Sequence, residues 1–198
     1  MVAANGEGPH LIRSFVAIEL PAAIFRRLQE VQKDLKLSSA DVRWVHTEKI
    51  HLTLKFLGNI EEIKVDPIIQ SIGDLVRKTP PFSLSVRGMG AFPNVRNPRV
   101  IWVGLVDGTG VVVPLQKELD ASFEKLGFPS EDRPFQPHLT LGRVKSNRGR
   151  EDLMKSLEKH HEEEFGDFVV ERLVLFRSDL KPTGPIYTPL REVKLGGQ

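Results

Sequence analysis

The sequence predicts an α+β fold of two pseudo-symmetric lobes, each an antiparallel sheet with outer helices, facing a central cleft. Three observations carry this. The tetrapeptide His-Leu-Thr-Leu occurs twice, at His51-Leu52-Thr53-Leu54 and His138-Leu139-Thr140-Leu141, separated by close to half of the 198 residues. Each copy lies in an alternating stretch, HLTLKFL or HLTLGRV, that reads as a strand with one buried face. Strand-like and amphipathic helical segments follow one another in a comparable rhythm in both halves, with no low-complexity linker between them. Such a pattern packs helices on sheets around shared apolar layers, giving a single bilobal domain over residues 1–198.

The elements follow in order. After a flexible start over residues 1–12, Arg13 to Leu20 alternates as a strand. Pro21 takes the favoured first position of a helix whose Ile24, Leu28, Val31 and Leu35 form one apolar stripe. Val42 to Val45 is a short strand, and the first motif strand follows and stops at Gly58. A second helix begins near Pro67 and carries Ile68, Ile72, Leu75 and Val76. Phe82 to Met89 and Val100 to Val106 read as strands joined by the Gly/Pro/Asn-rich segment Gly90 to Pro98. Pro114 opens a third helix with Leu115, Leu119, Phe123 and Leu126 on one face and Gly127 at its C-terminal cap. A proline-rich loop, Phe128 to Pro137, leads into the second motif strand. A fourth helix is expected over Arg150 to Glu164, then strands over Phe168 to Phe176 and Tyr187 to Leu195.

Composition narrows the chemistry. With 40% hydrophobic and 27% charged residues, the chain has the mixture of an ordinary globular protein. It has no cysteine, which excludes disulfides, thiolate nucleophiles and Cys-ligated metals, and fits a cytoplasmic location. The opening MVAANGEGPH has neither a basic region nor an apolar core, so no signal peptide is expected, and no membrane span either. A net charge of +2 is too small for nonspecific coating of nucleic acid. An anionic ligand is instead expected to meet a local cluster drawn from Arg13, Arg43, Arg96, Arg99, Arg143, Arg148 and Arg150. The chain is expected to be a monomer.

Within a strand, residues i and i+2 share a face, so each motif histidine has its threonine beside it, roughly 6–7 Å along the backbone. The leucines between point into the core. Two such strands, one per half, bring two imidazoles and two hydroxyls together across a cleft. Two histidines of opposite protonation state are what acid–base chemistry at a phosphate ester needs. The HxT spacing matches no common zinc pattern, and no metal or cofactor is expected. The run His160-His161-Glu162-Glu163-Glu164 is read as the solvated end of a charged helix, because adjacent side chains on a helix diverge by about 100°.

Four segments, RSFVAIELP, HLTLKFLG, AFPNVRNPRVIWVGL and FQPHLTLGRV, occur in this order between residues 13 and 144. Together they resemble the two-histidine phosphoesterases and, within them, the RNA 2′,3′-cyclic phosphodiesterases, also called 2′-5′ RNA ligases. The resemblance implies metal-independent hydrolysis of a terminal RNA 2′,3′-cyclic phosphate to a 2′-phosphomonoester. It implies that His51 donates a proton to the departing 3′ oxygen and that His138 accepts one from water. Thr53 and Thr140 would supply hydroxyls to the phosphate, Arg143 a charged contact, and Phe15 or Phe56 a nucleobase platform, with core packing the safer reading of Phe56. The residues alone leave donor and acceptor interchangeable. Strict alternation also points Arg143 away from His138 and Thr140, so its role needs a bulge near Gly142 or the end of the strand there. The same site is compatible with 2′-5′ ligation of RNA ends or hydrolysis of small cyclic nucleotide phosphates. A non-catalytic RNA-end binder would have no need of two histidines.

Overall fold

The computed structural model describes residues 10–182 and 184–196. In chain order its elements are β1 (Leu11–Ile18), α1 (Ala22–Lys36), β2 (Val42–Trp44), β3 (Leu52–Glu61), α2 (Val65–Val76), β4 (Phe82–Phe92), β5 (Val100–Val106), α3 (Val112–Glu124), β6 (His138–Val144), α4 (Arg150–Lys159), β7 (Glu164–Val170), β8 (Arg172–Lys181) and β9 (Gly184–Lys194). They form two sheets, one ordered β3-β1-β8-β9 and the other β2-β6-β5-β4-β7, with every pairing antiparallel. Helices α2 and α3 pack on the first sheet, and α1 and α4 on the second. This is the predicted α+β architecture. No helix among the described residues is long and apolar enough to cross a membrane.

The lobes are not the two halves of the sequence. Strand β2, from the first half, edges the second sheet, while β8 and β9 complete the first. The expected strand Phe168 to Phe176 is in fact two, divided at Glu171: Val170 pairs with Phe82 in the second sheet and Leu175 with Val16 in the first. Apolar alternation reports a buried face but not which sheet receives it, so this break has no local signature. One main core runs through both lobes and includes Leu28 of α1, Ile72 of α2, Phe123 of α3, Leu141 of β6, Leu153 of α4 and Leu175 of β8.

Other boundaries moved for identifiable reasons. Leu11 and Ile12, expected within the flexible start, open β1; residues 1–9 of that start lie outside the described residues. Strand β3 continues through Gly58, whose φ of 71° accommodates an irregularity opposite Ser14. Pro67 and Pro114 are the third residues of α2 and α3 rather than their first. A first-turn amide has no intrahelical acceptor, so proline costs no hydrogen bond there. Helix α4 ends at Lys159; in the run after it His161, Glu162 and Glu164 are exposed as expected, and His160 is the exception. The His160 side chain is only 12% exposed, with Nε2 2.6 Å from Asp34 of α1 and Nδ1 against Glu163.

Lys55, in the first motif strand, is 3% exposed. Its ammonium pairs with Asp120 of α3, donates to the carbonyl of Pro129 at 2.6 Å, and lies 3.7 Å from Glu131. It therefore ties the first motif strand to α3 and to the loop that delivers the second motif. Removing one member of a buried ion pair strands the other. Lys55→Met is expected to lower the urea-unfolding free energy by about 3 kcal/mol, and the double change Lys55→Met/Asp120→Leu by clearly less.

Candidate active site

The two motif strands carry the same irregularity at the same place. In β3, Thr53 pairs with Ala17 and Lys55 with Val16, leaving Leu54 as an extra residue. In β6, Thr140 pairs with Trp102 and Gly142 with Ile101, leaving Leu141 extra. Each bulge follows the motif threonine and reverses the alternation beyond it. Leu54 and Lys55 are consecutive buried residues, as are Leu141 and Gly142. The fifth residue after each histidine, Phe56 or Arg143, consequently shares a face with the histidine and threonine. The glycine at position 142 is needed, because a Cβ there would lie 2.7 Å from Val42 and 3.0 Å from the Trp44 ring.

Both histidines are anchored identically. Nδ1 of His51 lies 2.9 Å from the carbonyl of Lys49, and Nδ1 of His138 lies 2.7 Å from that of Gln136, in each case two residues upstream. A carbonyl only accepts, so Nδ1 carries the hydrogen and Nε2 is left as the exchangeable nitrogen of each neutral ring. Lys49 is itself held to the first sheet by its ammonium, which donates to the carbonyl of Pro185 at 2.7 Å.

The surroundings of the two rings differ. His51 stacks on Phe15 at 4.7 Å and meets the edge of Tyr187 at 5.2 Å, with Phe176 at 6.2 Å. Burial in this aromatic box pushes its pKa down to about 4, opposed by the bond to Lys49. His138 meets a single ring, the edge of Phe92 at 5.1 Å, and is more open. Tyr187 connects the lobes electrostatically. Burial raises its phenol, and the Arg13 and Arg143 guanidinium charges counter that rise. Arg143, on β6 of the second sheet, is thus within electrostatic reach of a side chain on the first.

Of the residues singled out in the sequence, His51 and Thr53 share a face of the first sheet, and His138, Thr140 and Arg143 share a face of the second. Phe15 is a correction. It is 2% exposed, with His51 stacked at 4.7 Å and Phe176 at 5.2 Å, so no free ring face remains for a base. It supports the histidine from below. Phe56, expected in the core, is 59% exposed beside it at 5.9 Å. Sequence reasoning also missed Tyr187 and Phe176, which box His51, and Phe92, which meets His138. Only Tyr187, the one tyrosine of the chain, offered a compositional hint. Among the described residues, no three His, Cys, Asp or Glu side chains form a group able to hold a metal.

Paired HxT strands on opposed antiparallel sheets define a two-histidine phosphoesterase architecture. The chain belongs to the LigT like Phosphoesterase family, which it matches over residues 18–102 and again over 105–187. It is 39% identical to the RNA 2′,3′-cyclic phosphodiesterase of Methanothermobacter thermautotrophicus over 184 residues, 93% of this chain and 99% of the relative. The enzyme of that name from Aquifex aeolicus is 34% identical over 188 residues, 94% of this chain and 99% of its own. Among solved structures, TT0787 of Thermus thermophilus superposes with a TM-score of 0.78 at 33% identity, covering 94% of this chain and all of that one. LigT of E. coli complexed with 3′-AMP gives a TM-score of 0.76 at 25% identity, covering 95% of this chain and all of that one.

The lowered pKa of His51 has a consequence for stability. The unfolded histidine titrates near 6.5 and the folded one near 4, so the unfolded state takes up the proton first. The stabilisation is complete above about pH 6.5 and is lost as pH falls towards 4. Between those limits the wild type should lose on the order of 3 kcal/mol more unfolding free energy than His51→Asn, measured by urea denaturation across pH.

Proposed function

We propose that this protein hydrolyses the 2′,3′-cyclic phosphodiester at an RNA end to a 2′-phosphomonoester, with the two motif histidines as acid and base and no metal. The observation that carries the reading is the matched pair of imidazoles, each with Nδ1–H committed to a backbone carbonyl and Nε2 left for proton exchange. A binding module needs cations and rings but no such pair. The relatives named RNA 2′,3′-cyclic phosphodiesterase support the substrate class, and the 3′-AMP complex of E. coli LigT supports a nucleotide-sized site. Both motifs come from one chain, so the site needs no second subunit, which supports a monomer; the cysteine-free composition suits the cytoplasm.

In the proposed reaction, His138 takes a proton from water as the water oxygen attacks phosphorus. His51 gives a proton to the 3′ oxygen as the P–O3′ bond breaks. Acid–base assistance of this kind contributes about 10²–10⁴-fold. The Thr53 and Thr140 hydroxyls and the Arg143 guanidinium donate to the non-bridging oxygens, whose charge is held through the transition state. The terminal base stacks on the exposed ring of Phe56. Because burial keeps His51 neutral in the free protein, the phosphodiester anion must raise its pKa for it to act as donor. The exchanged assignment, His51 as acceptor and His138 as donor, is favoured by that same neutrality and predicts a different product isomer if the substrate keeps its pose.

An oligonucleotide ending in 2′,3′-cyclic phosphate, incubated with the protein and EDTA, should yield the 2′-phosphate. Loss of activity in EDTA with recovery on adding a divalent ion would contradict the metal-free mechanism, and a dominant 3′-phosphate would reverse the histidine roles. His51→Ala and His138→Ala should each lower kcat by about 10²-fold or more. Phe56→Ala should raise KM several-fold, with kcat little changed, since it removes binding common to ground and transition states.

A further inference from the structure

Two buried glutamines occupy matching places behind the motifs. Gln32 of α1 donates from Nε2 to the carbonyl of Leu141 at 3.0 Å and to that of Val45 at 2.7 Å. Gln116 of α3 donates from Nε2 to the carbonyl of Leu54 at 3.3 Å. Leu141 and Leu54 are the extra residues of the two bulges. Each glutamine also comes from the half of the chain that carries the other motif. Gln32 follows β1 and braces the second motif; Gln116 follows β5 and braces the first. Both lie among apolar helix residues facing the core, where an amide survives only if its hydrogens find acceptors.

We propose that Gln32 and Gln116 are positioning residues, each fixing the bulge that sets the fifth residue after a motif histidine on the catalytic face. The Leu141 carbonyl also accepts from the backbone amide of Val45 at 2.8 Å, so Gln32 adds a second donor to it from the helix side, and Gln116 gives one to the Leu54 carbonyl. These bonds hold each bulge against its helix. Their loss favours regular alternation, which turns Arg143 or Phe56 away from its histidine. Gln32 acts through Arg143 and so through the phosphate; Gln116 acts through Phe56 and so through the nucleobase. The inference rests on the cyclic phosphodiesterase reading above for its assay.

The test is a pair of double-mutant cycles on oligonucleotide cyclic phosphate, with folding followed separately by thermal unfolding. Methionine keeps the length of glutamine and removes the donor. Gln32→Met should lower kcat about tenfold in the wild type and by less than about twofold in an Arg143→Ala background, because the group it positions is already gone. Gln116→Met should raise KM several-fold, and not further in a Phe56→Ala background. Equal losses in both backgrounds overturn the proposal and leave the glutamines as packing residues whose effect follows folded fraction alone. An Arg143→Ala chain as active as the wild type overturns the Gln32 half. If Gln32→Met does not fold, the Gln116 cycle decides. A wild type inactive on every cyclic phosphate would instead overturn the functional reading on which the assay depends.

Discussion

A strand that puts a histidine and a threonine on one face has committed its odd and even positions. Any later residue of opposite parity must point into the core. The site nevertheless needs a further side chain, three residues beyond each threonine, to return to the cleft. One extra residue per motif strand, Leu54 and Leu141, resolves the conflict, and much else follows from it. It brings Arg143 and Phe56 to the face of the motif histidines, buries Lys55, makes position 142 a glycine, and turns the Leu141 and Leu54 carbonyls to the two glutamine donors behind the strands.

The pseudo-symmetry of the backbone ends at the side chains. Position five after the histidine is a cation in one lobe and an exposed aromatic ring in the other, which suits a ligand with an anionic end and a flat base. The histidines diverge in the same way. His51 is boxed by Phe15, Phe176 and Tyr187 and kept neutral by desolvation, while His138 meets one ring edge and stands open. With the anchoring identical, burial is what lowers the proton affinity of His51.

Much of this was legible in the sequence. The motif repeat marked both histidines and both threonines, and the helical stripes located all four helices, because 3.6-residue and 2-residue periods are local properties. The parity of Arg143 called for a bulge near Gly142 or a strand end there, and the register has the bulge. What the sequence withheld is non-local. The exchange of strands between sheets is fixed by tertiary packing, and the break at Glu171 looks like continuous alternation. Phe15 and Phe56 were assigned the wrong way round, since two aromatics on paired strands are separated only by which one lies beneath the histidine. His160 was read as solvated because its partner Asp34 is remote in sequence. Gln32 and Gln116 carry no local signal, because their acceptors, Leu141 and Leu54, are remote in sequence.

The claim at the centre of this account is that the two motif histidines form one acid–base pair. The most direct test is the pH dependence of kcat, which reports the complex in which bound phosphodiester has raised the His51 pKa, for the wild type beside His51→Ala and His138→Ala. The wild type should give a bell, its low-pH limb set by the base and its high-pH limb by the acid. Each mutant should lose one limb: His138→Ala the low-pH limb and His51→Ala the high-pH limb. The opposite pattern would exchange their roles while preserving the pair. Two mutants that keep both the full bell and the wild-type rate would contradict the account.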